Sequence, residues 1–210
     1  MGQDPGVPST NSKVRMEAFS DGVFSIAATL LVLDIALHPP GSPLHQVLEA
    51  WPGYLGYAVS FLTIGGAWLG HGAMTRRLDH ADSLLLRLNL LLLMAIAFLP
   101  FPTKLVAEGL QSASGERIYV TLYGLTLLAI RLLGFALDAY AEREHLFVAT
   151  TEVEATRLKD RKLLSVVIGY VVAICVGVLI PTVAVVFYFG IAVYLVVPFR
   201  EVARLLWKRP

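Results

Sequence analysis

The chain reads as an all-α, polytopic membrane protein with six transmembrane helices, and three observations predict this. It is 56% hydrophobic and only 16% charged over 210 residues, with a mean hydropathy of +0.67, a balance foreign to soluble domains. Its apolar residues gather into six runs close to the roughly 20 residues a bilayer core requires. The Lys and Arg residues collect in alternate connections between those runs, as the positive-inside rule demands.

The first run is the most informative. Arg15 to Leu37 reads RMEAFSDGVFSIAATLLVLDIAL, and from Phe19 to Leu37 it offers about 28 Å of helix at 1.5 Å per residue. Asp21 stands just inside one end and Asp34 near the other. A pure anchor has no use for an acid there, because a charge near hydrocarbon costs a few kcal/mol unless it is paired or wetted. Ahead of it, residues 1–14 are polar and rich in Gly and Pro, as a flexible tail is. Gly6 stands where a myristoylation signal needs Ser or Thr. The run exceeds a signal peptide's usual core and carries an acid at each end, so it is expected to be retained.

A connection broken by Pro39, Pro40, Pro43 and Pro52 follows, with room for one amphipathic turn. The second span is read from Gly53 to Met74, where Gly66-x-x-x-Gly70 permits close approach of another helix. The third runs from Leu84 to Phe101, closed by Pro100 and Pro102, and KLVAEGLQSASGER after it reads as a polar loop. The fourth covers Ile118 to Tyr140 and holds Arg131. The charged run AEREHLFVATTEVEATRLKDRK reads as a solvated helical connector, and its Arg157 to Lys162 suits anionic headgroups. The fifth span is Leu163 to Ile180, the sixth Val183 to Phe199, with a tight turn at Pro181-Thr182 between them. One six-helix membrane domain, 15–207, is thus expected ahead of a short end at 208–210.

Lys13, Arg15, Arg76, Arg77, Arg87, Arg143 to Lys162 and Arg200 to Arg209 fall on one side of this topology, against Lys104 and Arg117 on the other. Both termini are therefore expected in the cytoplasm of a cell whose inner membrane holds the chain. The near-neutral total hides this sorting of charge and says nothing about nucleic acid, but no nucleic-acid motif is present, so no nucleic-acid partner is expected. Cys175, the single cysteine, rules out an intrachain disulfide and a Cys-cluster metal site. In an apolar run it reads as a small core residue. No nucleotide, haem or metal motif is present, and His38, His45, His80 and His145 are scattered over loops.

Arg15-x-x-x-Phe19-Ser20-Asp21, with GVFSIAATLLVLDI after it, resembles the signature opening the first helix of the transmembrane protein 175 family of lysosomal potassium channels and their bacterial relatives. The resemblance implies a homotetramer passing potassium and other monovalent cations through the bilayer, with the first helix of each subunit lining the pore. A single six-helix copy is similar to the bacterial kind. On a helical wheel at about 100° per residue, Phe19, Leu30 and Leu33 fall within about 40° of Ile26, and Thr29 about 60° to one side. The resemblance places the constriction at Ile26, Leu30 and Leu33, with Thr29 beside it. Rings of such side chains can close a pore by excluding water. From the residues alone, such a stripe is more usually core or lipid-facing packing, because the whole helix is apolar. The TVGYG filter of common potassium channels is absent.

Arg15 and Asp21 point to different sides of their helix and so are expected to bond to neighbours. Trp68, an indole donor, and His71 share a face of the second span and are the candidate partners for the signature. The resemblance supports them, while a purely structural staple stays open. His71 is also a candidate pH-sensitive group. Arg131 is the most buried-looking charge, with Asp138 on its face as an expected partner. Asp34 and Glu49 are placed to draw cations to the outer mouth.

A secondary ion-coupled or proton-coupled transporter, with Asp21, Arg131 and His71 as a relay, is the alternative. It usually shows repeats and broken helices near the midplane, which this sequence lacks. An intramembrane enzyme would need a nucleophile and base, and Ser25, Thr29, His71 and Cys175 assemble no such set.

Overall fold

The computed structural model describes residues 10–35, 41–112, 115–148 and 154–197, with the side chains of 10–11, 111–112 and 154–163 left aside. Among these the regular elements are all helices, with one isolated antiparallel bridge. The helices are α1 (Thr10–Leu30), α2 (Pro43–Glu49), α3 (Trp51–Arg77), α4 (Ser83–Phe98), α5 (Pro100–Ser112), α6 (Glu116–Arg143), α7 (Glu154–Leu179) and α8 (Pro181–Val196). A 3-10 turn at Leu31–Asp34 closes α1. The stretches Ser12–Asp34, Ser83–Leu110 and Glu116–Arg143 are long and apolar enough to cross a membrane, and Leu164–Leu179 and Pro181–Val196 are shorter apolar helices. α3 is also long, at 27 residues, but it is diluted by glycine, His71 and two tryptophans.

The helix ends follow from local chemistry. Ser42 caps α2 by accepting from the His45 amide at 3.3 Å, and Asp82 caps α4 by accepting from the Leu85 amide at 2.8 Å, each supplying a partner to an orphan N–H. Glu116 in the first turn of α6 and Arg143 in its last complement the helix dipole. Gly115, at φ 72°, takes the left-handed conformation needed to turn from α5 into α6.

α3 and α6 form the centre. α3 packs against α1, α5 and α8, and α6 against α4, α5 and α7, while α1 lies at an edge with α3 and α4 as its main neighbours. Lipid tails are as apolar as leucine, so such helices hold together by close packing and interhelical hydrogen bonds. Both are present. Ser60 of α3 bonds Thr103 of α5 and Tyr123 of α6, each at 2.7 Å, and all three are buried. A Cβ on Gly124 would overlap the Tyr188 hydroxyl and stand 2.8 Å from Ile174 Cγ1, so only glycine admits this contact.

Several expected boundaries are corrected. α1 begins at Thr10, ahead of Arg15, and its extra turn is tied down where Lys13 Nζ donates to the Leu78 carbonyl at 2.7 Å. Its far end tightens into the 3-10 turn in place of running on to Leu37, a common way for helices to finish. Pro100 and Pro102 do not end the third span. Leu99 keeps helical angles, and both prolines sit in the first turn of α5, where their missing N–H groups cost little. Much of the expected polar loop after them is therefore helix. α3 and α6 extend beyond their expected spans at both ends.

The connector after α6 is not helical from Glu144 to Val148. His145 adopts φ 55°, and Phe147 bridges to Leu78 through Asp79 N to Leu146 O at 2.9 Å and Val148 N to Arg77 O at 3.0 Å. Arg77 lies over the Phe147 ring at 4.1 Å. Cys175 is exposed, not a core residue. A helix whose surroundings are hydrocarbon is apolar on its outer face too, so an apolar run does not mark the inside. The side chains of Arg157 to Lys162, His38, residues 1–9 and the basic end after 197 lie outside the described residues.

Candidate functional site: the two faces of helix α1

One face of α1 is buried and hydrogen-bonded. Met16, Ser20, Phe24, Ala27 and Leu31, spaced by three or four residues, turn inward. Ser20 is 0% exposed, and its Oγ donates to the Met16 carbonyl at 2.7 Å while accepting from Asn89 Nδ2 at 2.9 Å. Asn89 Oδ1, which can only accept, lies 2.9 Å from His71 Nε2, so that nitrogen carries the proton. The His71 ring also packs on Phe24, with centroids 5.6 Å apart. This chain of contacts joins α1, α4 and α3 through buried polar groups that have their partners, which makes it rigid.

At the edge of that face Trp68 Nε1 donates to Asp21 Oδ1 at 2.9 Å, a hydrogen bond strengthened by the carboxylate. The two candidate partners thus separate: Trp68 meets Asp21, whereas His71 reaches the signature through Asn89 and Ser20. Arg15 is exposed on the same helix, apart from this network.

The opposite face is bare. Phe19 is 57% exposed, Ile26 62%, Leu30 44% and Leu33 75%, and Thr29 is exposed between them. The Thr29 hydroxyl lies 2.9 Å from the Ile26 carbonyl and 3.1 Å from that of Ser25. Its single proton is used on its own helix and its lone pairs face outward. A lone protomer therefore presents an apolar ridge interrupted by one hydroxyl layer.

The remaining candidates lie elsewhere. Arg131 sits in a cavity wall with His71 and Asp138. Asp138, the expected partner of Arg131, stands seven positions, or about 10 Å of helix, further along α6 and lines the same cavity. Glu49 pairs with His45 at 2.9 Å, while Asp34 ends the 3-10 turn. Among the described residues, no three of His, Cys, Asp and Glu converge as a metal site requires. Of Gly66 and Gly70, only Gly66 makes a close approach, its Cβ position lying 3.3 Å from Val196. Asn89, which links the network, is a lone amide near the start of an apolar span in the sequence. That isolation was the available signal.

The family model described as the endosomal/lysosomal potassium channel TMEM175 matches residues 15–100, the segment holding α1, α3, α4 and this network. A potassium channel of Streptomyces collinus is 40% identical over 151 residues, covering 70% of this chain and 73% of that one. The endosomal/lysosomal proton channel TMEM175 of Gallus gallus is 40% identical over 116 residues, which span 50% of this chain and 23% of that protein. Among solved structures, a lysosomal potassium-selective channel TMEM175 homologue from Chamaesiphon minutus superposes with a TM-score of 0.74 at 30% identity, covering 89% of this chain and 97% of that one.

Proposed function

The chain belongs to the TMEM175 family of potassium channels, and on that premise we propose that it is a homotetrameric potassium channel gated by a hydrophobic constriction on α1. It is a multi-pass membrane protein of a family of ion channels, not of enzymes. Six spans with both termini in the cytoplasm of an inner membrane is the topology that its charge distribution supports.

In this reading four copies of the bare face of α1 surround one axis. Ile26, Leu30 and Leu33 form stacked rings, and Thr29 adds a ring of hydroxyl oxygens. A cation passing such rings must shed or carry its water, and a ring of large apolar side chains dewets when the helices close in. Opening means rotating or spreading α1 until water enters. The buried face sets how α1 can move, because Ser20–Asn89–His71 and Asp21–Trp68 fasten it to α3 and α4.

The observation that carries this reading is the segregation of α1 itself: every polar anchor lies on one face, and the apolar stripe lies unpartnered on the other. A transporter using Asp21, Arg131 and His71 as a relay would need them joined. Here Asp21 bonds Trp68 and His71 bonds Asn89, and the cavity that Arg131 shares with His71 does not include Asp21. Potassium flux in liposomes tests the reading. Leu30→Ala and Ile26→Asn are expected to raise flux about tenfold or more by easing wetting. Unchanged flux in the double variant, with oligomer size preserved, would remove the gate.

A further inference from the structure

Helix α2 buries none of its residues, yet three of them are large and apolar: Leu44 is 69% exposed, Val47 42% and Leu48 64%. At about 100° per residue these three share one side of the helix. His45 and Glu49, paired at 2.9 Å and both exposed, take a second side. Gln46 and the buried Ala50 take the third, so that the three sides stand roughly 120° apart. The protein occupies the third side and the ion pair suits water, which leaves the apolar side largely uncovered among the described residues.

The depth of α2 decides what lies against that side. Asp34 closes the membrane-crossing stretch Ser12–Asp34, and the backbone of Ile35, the next residue, lies 3.8 Å from where a Cβ on Gly53 would be. Gly53 stands in the first turn of α3, so α3 begins level with the end of the crossing made by α1. α2, separated from α3 only by Ala50 at ψ 8°, stands at that same bilayer surface. Trp51 and Tyr54, both exposed, follow it directly, and rings with an apolar body and a polar tip gather at the headgroup level. From Met16 to Thr75 the sequence holds no Lys or Arg, so attraction to anionic headgroups contributes nothing here.

We propose that α2 is an interfacial lipid anchor lying in the surface of the leaflet where α1 ends. Leu44, Val47 and Leu48 enter the boundary between headgroups and acyl chains, Trp51 and Tyr54 stand beside them, and His45 and Glu49 face water. Lipid is recognised by apolar contact, so a zwitterionic surface suffices. Because Gly53 abuts Ile35 just past the end of α1, the anchor also holds that end of the proposed pore helix. Loosening it changes ion flux, a consequence that rests on the channel reading above.

Spin labels on the full-length protein in phosphatidylcholine vesicles test the anchor. Single variants Leu44→Cys, Val47→Cys, Leu48→Cys, His45→Cys and Glu49→Cys are made on a Cys175→Ser background and labelled. Collisions are then measured with oxygen, which concentrates in hydrocarbon, and with a water-borne nickel chelate. The oxygen-to-nickel ratio at Leu44, Val47 and Leu48 is expected to exceed that at His45 and Glu49 at least about threefold, as for a helix sunk about 5–10 Å into the interface. Ratios favouring nickel at all five positions would place α2 in water, and apolar-side labels shielded from both reagents would place it against another protomer; either result overturns the anchor. So would a pattern that emerges only when anionic lipid is added. In the same vesicles, Leu44→Ser combined with Leu48→Ser should change potassium flux at least about twofold, in protein of wild-type oligomer size. Unaltered flux overturns the coupling to α1, whereas a wild type that passes no potassium overturns the channel reading and leaves the labelling result to stand by itself.

Discussion

Asn89 is a single amide that satisfies two other helices at once, giving its Nδ2 proton to Ser20 and taking one from His71. It is 2% exposed, so nothing else can replace those bonds. Asn89→Leu keeps the bulk but strands the proton on His71 Nε2. The expected cost is about 1–3 kcal/mol for the unsatisfied buried donor, visible as a lower midpoint in thermal unfolding of the purified protein; an unshifted midpoint would show that the bridge holds nothing. Trp68→Phe tests the other fastening. It removes the donor to Asp21 while keeping an aromatic surface, and losing about 1.4 kcal/mol from one gating state changes the open-to-closed ratio about tenfold. Single-channel recording reads that ratio directly, and a wild-type open probability would separate Trp68 from gating. Asp21→Asn should mimic it more weakly, since the amide oxygen still accepts from the indole.

At the scale of helices, contact between α6 and the α7–α8 pair depends on Gly124. Because Tyr188 is fully buried and its hydroxyl lies 3.4 Å from the Val120 carbonyl, it has little room to withdraw from an added methyl. Gly124→Ala is therefore expected to destabilise the protein by about 1–3 kcal/mol through overpacking. Gly190→Ala, where a Cβ meets nothing within 4 Å, should be tolerated and serves as the control. Equal thermal midpoints for the two would contradict the packing described here. α4 and α5 teach a related lesson about proline. Pro100 and Pro102 read as stop signals in the sequence, yet each lies where a helix has no need of an N–H, so helix resumes at Pro100 with Thr103 positioned to meet Ser60.

The whole molecule raises the question of what covers α1. Its stripe of Phe19, Ile26, Leu30 and Leu33 is bare in one protomer, and the proposed tetramer buries it around an axis. On a Cys175→Ser background, which removes the exposed native thiol, Ile26→Cys is expected to form disulfide-linked dimers on mild oxidation, whereas Ala27→Cys, buried against the protomer's own helices, should not. Equal cross-linking at both positions, or none at Ile26, would place the stripe elsewhere than a shared axis.

The all-helical class, the membrane setting and the family signature were legible in the sequence because each is a one-dimensional property: composition, run length and a short motif near the head of one helix. The stripe on α1 was legible for the same reason, since helical periodicity alone sets which residues share a face. Neither periodicity nor composition says which side chains from different helices meet. Only the tertiary structure decided that Ser20 reaches His71 through Asn89, that Arg131 and Asp138 share a cavity with His71, and that Cys175 faces outward. In a bilayer both faces of a helix are apolar, so hydrophobic pattern cannot tell inside from outside, and the few polar contacts between helices carry the information that the pattern lacks.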